Sequence, residues 1–156
     1  MKISLIFLGK TDFDFLKEGI LMYENRIKHY LTFEIFIIPD IKNPKNLSKE
    51  QIQNLESTLI INSLKNCDDA VLLDENGQHF SSVEFAKFIE KKTISGTKNL
   101  AFVIGGAYGF ADSVHQKYKQ KLSLSKMTFS HQLVRLIFVE QLYRAMTILK
   151  NEPYHH

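Results

Sequence analysis

The chain has 156 residues, 44% of them hydrophobic and 24% charged, with a net charge of +3 and one cysteine, Cys67. That length suits one domain with its own core, and the balance is that of a globular protein rather than a disordered or membrane-embedded one. A lone cysteine excludes an internal disulfide and a thiolate zinc cluster, and a surplus of three positive charges permits a nucleic-acid partner without requiring one.

The N-terminal run Lys2 to Leu8 is apolar and stops at Gly9. It is too short for a signal peptide or a membrane span, so it reads as a buried first strand of a cytoplasmic protein. Gly9-Lys10-Thr11 resembles the end of a phosphate loop, but Ser4 stands where that motif needs its first glycine. The segment therefore reads as a strand-to-helix turn with Thr11 or Asp12 as the N-cap. Leu16, Ile20, Tyr23 and Ile27 then repeat at helical spacing. Phe33 to Ile38 is a second strand closed by Pro39, and Ser48 with Gln51 forms a capping box for a helix striped by Ile52, Leu55 and Leu59.

Asp69 to Asp74 is a short, continuously apolar strand of the kind buried on both faces of a parallel sheet, and Asp74 to Gly77 reads as the turn after it. Ser81 and Glu84 cap a third helix, with Phe85, Phe88 and Ile89 facing inward and Gly96 at its end. Leu100 to Ile104 is a fourth strand, followed by the turn Gly105-Gly106-Ala107-Tyr108-Gly109. A short helix over residues 111–118, a fifth strand from Lys121 to Leu124 and a long helix from about Ser130 to Leu149 complete the chain. Strands alternate with helices throughout, which predicts a single α/β domain, a parallel sheet between two helical layers.

Ligands of open parallel sheets sit outside the carboxyl ends of strands. Three such ends carry candidate groups: Leu73-Asp74, the glycine turn at Gly105, and Leu124-Ser125-Lys126-Met127-Thr128-Phe129. The glycines lack the dinucleotide spacing and position. They fit a tight turn needing positive φ, and equally a backbone that cradles a ligand. Ser125, Lys126 and Thr128 read either as capping hydroxyls with a solvated lysine or as a loop that grips a nucleoside.

His131 and Arg135 share a helix face. Arg135 and Arg144 stand in an otherwise apolar helix, where a cation is paired or functional, and Glu140 is the nearest acid in that helix. The helix is apolar nearly all round, so it is buried in the core, against a partner, or both. Tyr154 and His155 near the chain end are suited to stacking on a base and to exchanging protons. No metal site or nucleophile motif emerges. Lys117, Lys119, Lys121 and Lys126 are compatible with a non-enzymatic RNA-binding or assembly factor, or with a solvated face.

FVIGGAYG, LSLSKMTFSHQLVRLIFVEQLYRA and the ending NEPYHH together resemble the RlmH family of SPOUT-class RNA methyltransferases, over essentially the whole length. The resemblance implies a C-terminal trefoil knot in the α/β fold, a homodimer with a site completed across both subunits, and S-adenosyl-L-methionine bound in the knot. It places cofactor contacts at Leu73, Gly105, Leu124, Ser125, Lys126, Met127, Thr128 and Phe129, and His131, Arg144, Tyr154 and His155 around the acceptor base. The implied substrate is 23S rRNA in the assembled ribosome, at N3 of a pseudouridine; methylation of another RNA atom is the alternative within the same class. The sequence departs from the family pattern at Ser130, at Ala107-Tyr108 and at His156, where proline, varied residues and lysine are common.

Overall fold

The computed structural model describes residues 1–154. Five strands form one sheet in the order β2-β1-β4-β3-β5, from β1 (Lys2–Leu8), β2 (Thr32–Ile38), β3 (Asp69–His79), β4 (Asn99–Ile104) and β5 (Gln120–Ser123). Every pairing is parallel. The connections carry α1 (Asp14–Ile27), α2 (Lys49–Ser63), α3 (Ser82–Ile94) and α4 (Asp112–Lys117), with α5 (Leu133–Leu149) following β5. A single 3-10 turn, Pro44–Asn46, precedes α2.

Side chains alternate across a strand, and β1 divides its apolar residues accordingly. Ile3, Leu5 and Phe7 join a core with α1, α3 and α5, while Ile6 and Leu8 join one with α2 and α4 residues such as Ile60 and Val114. The expected three layers are thus present, with α1, α3 and α5 on one face and α2 and α4 on the other. The first core is aromatic at its centre. Phe102 of β4 lies 4.8 Å from Phe138 and 5.9 Å from Phe85, ring centre to ring centre.

Both capping boxes form: Ser48 with Gln51 opens α2 and Ser81 with Glu84 opens α3. The N-terminus of α1 differs from expectation. Its N-cap is Phe13, with no side-chain bond. Thr11 and Asp12 are turned toward α5 instead, Thr11 accepting from Arg135 and Asp12 exchanging bonds with Gln132. A tertiary contact has taken the oxygens that a local cap would use.

Two further corrections follow from packing. The stripe predicted on α2 holds only in part: Leu59 packs against the core, but Leu55 is exposed, and Ser57 and Ile60 are the buried positions. Lys49, Gln53 and Glu56, spaced to share a flank, back the glycine turn instead, and Gln53 donates to the Tyr108 carbonyl at 2.7 Å. The turn expected at Asp74 to Gly77 is a bulge inside a longer strand. The register against β5 slips between Leu73 and Gln78, so that both face Leu122. A Cβ at Gly77 would lie 2.6 Å from the Leu122 backbone, so its glycine serves strand-to-strand approach rather than chain reversal.

Candidate active site

The strand order sets β4, β3 and β5 side by side, which brings the three informative strand ends together. Between them is a cavity of about 580 Å³. Of the eight residues expected to bind cofactor, Leu73, Gly105, Leu124, Ser125, Met127, Thr128 and Phe129 line it. Lys126 does not; its side chain is exposed outside the lining. Asp74, singled out with Leu73 as an informative strand end, also lines the wall, whereas sequence reasoning missed Asn76, Phe110 and His115. Only the extension of β3 past Leu73 and the packing of α4 bring these residues to the cavity, and neither has a local signature.

Local bonds shape the two loops. Gly109 sits at φ +74°, where a side chain would be strained, and its N–H closes the turn onto the Gly106 carbonyl at 3.0 Å. Gly106 is close-packed for a different reason: a Cβ there would lie 2.6 Å from the Glu56 carboxylate, which would have to move aside. That carboxylate is partly buried with Oε2 lacking a partner among the described residues. Burial first, then the charge of Asp40, raises its affinity for a proton. In the second loop Ser123 Oγ donates to the Ser125 carbonyl at 3.0 Å, and Ser125 Oγ accepts from the Met127 N–H at 2.9 Å. This folds the loop tightly enough to leave the Met127 side chain 77% exposed at the rim. Ser130 Oγ then accepts from the Leu133 N–H at 3.2 Å and starts α5. His131 lies exposed on the cavity lining beside it.

The volume suits a nucleoside-sized ligand, since such sites commonly span about 300–1,000 Å³. The two loops offer backbone groups at its edge, and a side chain at Gly105 would press against Gly109 and Phe110 in its wall. The residues present therefore fit a nucleoside cofactor.

The other expected catalytic side chains lie elsewhere on the same chain. Arg144 is eleven residues beyond Leu133, about 17 Å along the helix axis at 1.5 Å per residue. Its Nε and Nη2 donate to Glu140 Oε1 at 3.1 and 2.7 Å, and its guanidinium carbon sits 4.7 Å from the Tyr154 ring centre. The bond to Glu140 is the largest cause holding the Arg144 proton more firmly than usual. The Tyr154 hydroxyl donates to Glu140 Oε1 at 3.2 Å and meets the Tyr23 hydroxyl at 3.2 Å. Burial, followed by the hydrogen bond to Tyr23 and the charge of Glu140, keeps that hydroxyl protonated well above its ordinary range. Tyr154 is therefore a donor and a stacking surface at neutral pH, not a base. His155, also expected here, and His156 lie outside the described residues.

Arg135, the other cation of α5, is 1% exposed. It donates to the Leu8 and Gly9 carbonyls at 2.7 and 3.1 Å and to Thr11 Oγ1 at 2.9 Å, and covers the Phe7 ring at 4.1 Å. It ties α5 to the end of β1 and lies outside the lining of the cavity. Among the described residues, no helix is long and apolar enough to cross a membrane and no cluster of three metal-ligating side chains occurs.

Comparison with known proteins agrees with this arrangement. The chain is 55% identical to ribosomal RNA large subunit methyltransferase H of Parabacteroides distasonis, covering 100% of this chain and 99% of that protein. It is 54% identical, at the same coverage, to the protein of that name from Christiangramia forsetii. A probable methyltransferase from Bordetella pertussis shares the fold at a TM-score of 0.57 and 12% identity, over 92% of this chain and 93% of that one. A probable methylase family protein from Haemophilus influenzae does so at 0.53 and 13%, over 99% and 70%. The family described as "Predicted SPOUT methyltransferase" matches residues 1–155, and the chain belongs to that family.

Proposed function

We propose that the protein methylates the RNA of the large ribosomal subunit, using S-adenosyl-L-methionine, at N3 of a pseudouridine in 23S rRNA. The observation that carries this reading is the cavity at the ends of β3, β4 and β5, lined by seven of the expected cofactor residues in a chain that matches named rRNA methyltransferases from end to end. Leu73, the Gly105 turn and the loop Leu124 to Phe129 would hold the cofactor. When bound, it supplies a methyl group on a sulfonium, ready for in-line displacement.

The chain's own task is to hold the acceptor in line and help it lose a proton. His131 stands at the cavity rim and is placed to accept or relay that proton. Arg144 carries a fixed positive charge suited to the negative charge that develops on the base carbonyls. Tyr154 presents a ring face already ordered by the guanidinium beside it. Within one chain these groups are separated, and a homodimer unites them, one subunit giving the cavity and its partner the Arg144 end. The exposed side chains of Phe13, Phe15, Met127 and Leu133 give such a partner an apolar surface to cover. The knot implied by the family resemblance belongs to this reading.

Purified protein with labelled cofactor should methylate ribosomes prepared from a strain lacking it, at one mapped nucleotide; no incorporation would end the enzymatic reading. Truncation after Glu152 should abolish that transfer while calorimetry still shows cofactor binding. Mixing Gly105→Val chains with Arg144→Ala chains, each strongly impaired alone, should restore transfer. A mixture as inactive as its parts would refute a site shared between subunits.

A further inference from the structure

Arg144 and Tyr154 converge on one oxygen. Glu140 Oε1 accepts from Arg144 Nε and Nη2 and from the Tyr154 hydroxyl. A carboxylate accepts only and a hydroxyl has one proton, so Tyr154 gives its proton to Glu140 and Tyr23 gives its own to Tyr154. The other oxygen of the carboxylate is also held. Oε2 accepts from Gln141 Nε2 at 2.7 Å, and Gln141 Oε1 accepts from Ser82 Oγ at 2.8 Å. A continuous chain of bonds thus runs from the first turn of α3, through α5, to the tail and α1.

The pairing has a directional consequence. It occupies the Nε edge of the guanidinium and leaves both Nη1 hydrogens and one Nη2 hydrogen unengaged by Glu140. The Tyr154 ring fixes the plane in which those hydrogens point.

We propose that Glu140 is a positioning residue for methyl transfer: it orients Arg144 and Tyr154 as one unit, with the outer guanidinium edge presented to a planar, anionic acceptor base. This rests on the proposed role of Arg144 and Tyr154. Glu140 touches neither cofactor nor base, and acts through the two groups that do. What matters is where its oxygens stand more than the charge they carry. Glutamine preserves the reach and the oxygen that Arg144 and Tyr154 share, giving up only the acceptor for Gln141; aspartate preserves the charge but withdraws it by one methylene.

The test is the order of the variants in kcat on ribosomes, with cofactor binding by calorimetry and thermal melting as controls. Glu140→Ala and Glu140→Asp should lower kcat about 10- to 100-fold, the scale expected of a misplacement of about 1 Å, with cofactor affinity unchanged. Glu140→Gln should stay within about threefold of wild type, and the double variant Glu140→Ala/Arg144→Ala should be no slower than Arg144→Ala alone, as groups acting as a unit are non-additive. Aspartate outperforming glutamine, or a double variant that multiplies the two losses, would overturn the proposal. Should the alanine variant not fold, the glutamine and aspartate pair still decides it. An Arg144→Ala enzyme with wild-type kcat would instead sink the reading of Arg144 on which the proposal stands.

Discussion

The two ends of α5 carry an arginine each, and the chain treats them oppositely. At the N-terminal end Arg135 is buried, donates to three backbone carbonyls and a hydroxyl, and has its proton affinity lowered chiefly by that burial. At the C-terminal end Arg144 is a quarter exposed, meets a carboxylate, and holds its proton more tightly. Burial without a hydrogen-bonded carboxylate makes a cation a piece of scaffold, because its donors are consumed in satisfying carbonyls that water cannot reach. Partial exposure beside a carboxylate leaves donors available for a ligand. The same residue type in one helix therefore serves folding at one end and is available for chemistry at the other.

Removing the buried cation breaks this contrast most strongly. Arg135→Ala should cost about 3–5 kcal/mol in chemical denaturation, since it leaves a void and strands the Leu8 and Gly9 carbonyls. Arg144→Ala should cost about 1 kcal/mol or less, the scale of an exposed helical ion pair. Equal losses would mean that burial does not separate the two roles.

The contrast also shows what the sequence could disclose. Both arginines stand out in LVRLIFVEQLYRA as cations among apolar residues, and their type alone assigned neither to scaffold or chemistry. Which carbonyls Arg135 would meet depends on β1 lying more than 120 residues earlier in the chain, a fact of topology. The strand-helix alternation was legible because short continuous apolar runs and stripes of period 3.6 are local, as were the capping boxes at Ser48 and Ser81. The α1 cap, the face of α2 and the bulge at Gly77 were not, because each is decided by a distant element competing for the same oxygen, flank or backbone. The site was legible where strand ends and glycines mark it, and illegible at Asn76 and His115, which only the bulge and α4 bring to the cavity.

At the cavity end the design relies on backbone and on the absence of side chains, so a small addition should be costly there. A Cβ at Gly105 would lie 3.3 Å from the Gly109 carbonyl carbon and 3.4 Å from the Phe110 ring. Gly105→Val should weaken S-adenosyl-L-methionine binding at least about tenfold by calorimetry, consistent with overpacking penalties of about 1–3 kcal/mol. Its circular dichroism should remain native. Normal affinity in a folded variant would remove the glycine turn from the site and leave the cavity without its function.

The smallest effect sharpens the comparison with a carboxylate for which the described residues supply no paired cation. Glu56 is pressed against Gly106 with Oε2 unpartnered among the described residues, and burial raises its pKa above the ordinary 4.5. An acid whose pKa rises on folding binds more protons in the folded state, so its contribution to stability falls as pH climbs past 4.5 and levels off above the folded value. Glu56→Gln removes that penalty and keeps the shape. It should therefore raise the melting temperature at pH 7, by a degree or two for a gain of roughly 0.5 kcal/mol, a figure already discounted for solvent screening of a half-exposed group. The gain should shrink as the pH is brought down toward and below 4.5 and the Glu56 carboxylate takes up its proton. A difference that stays constant from pH 4.5 to pH 7 would show that packing against Gly106, rather than a charge held out of water, is what this carboxylate contributes behind the glycine turn.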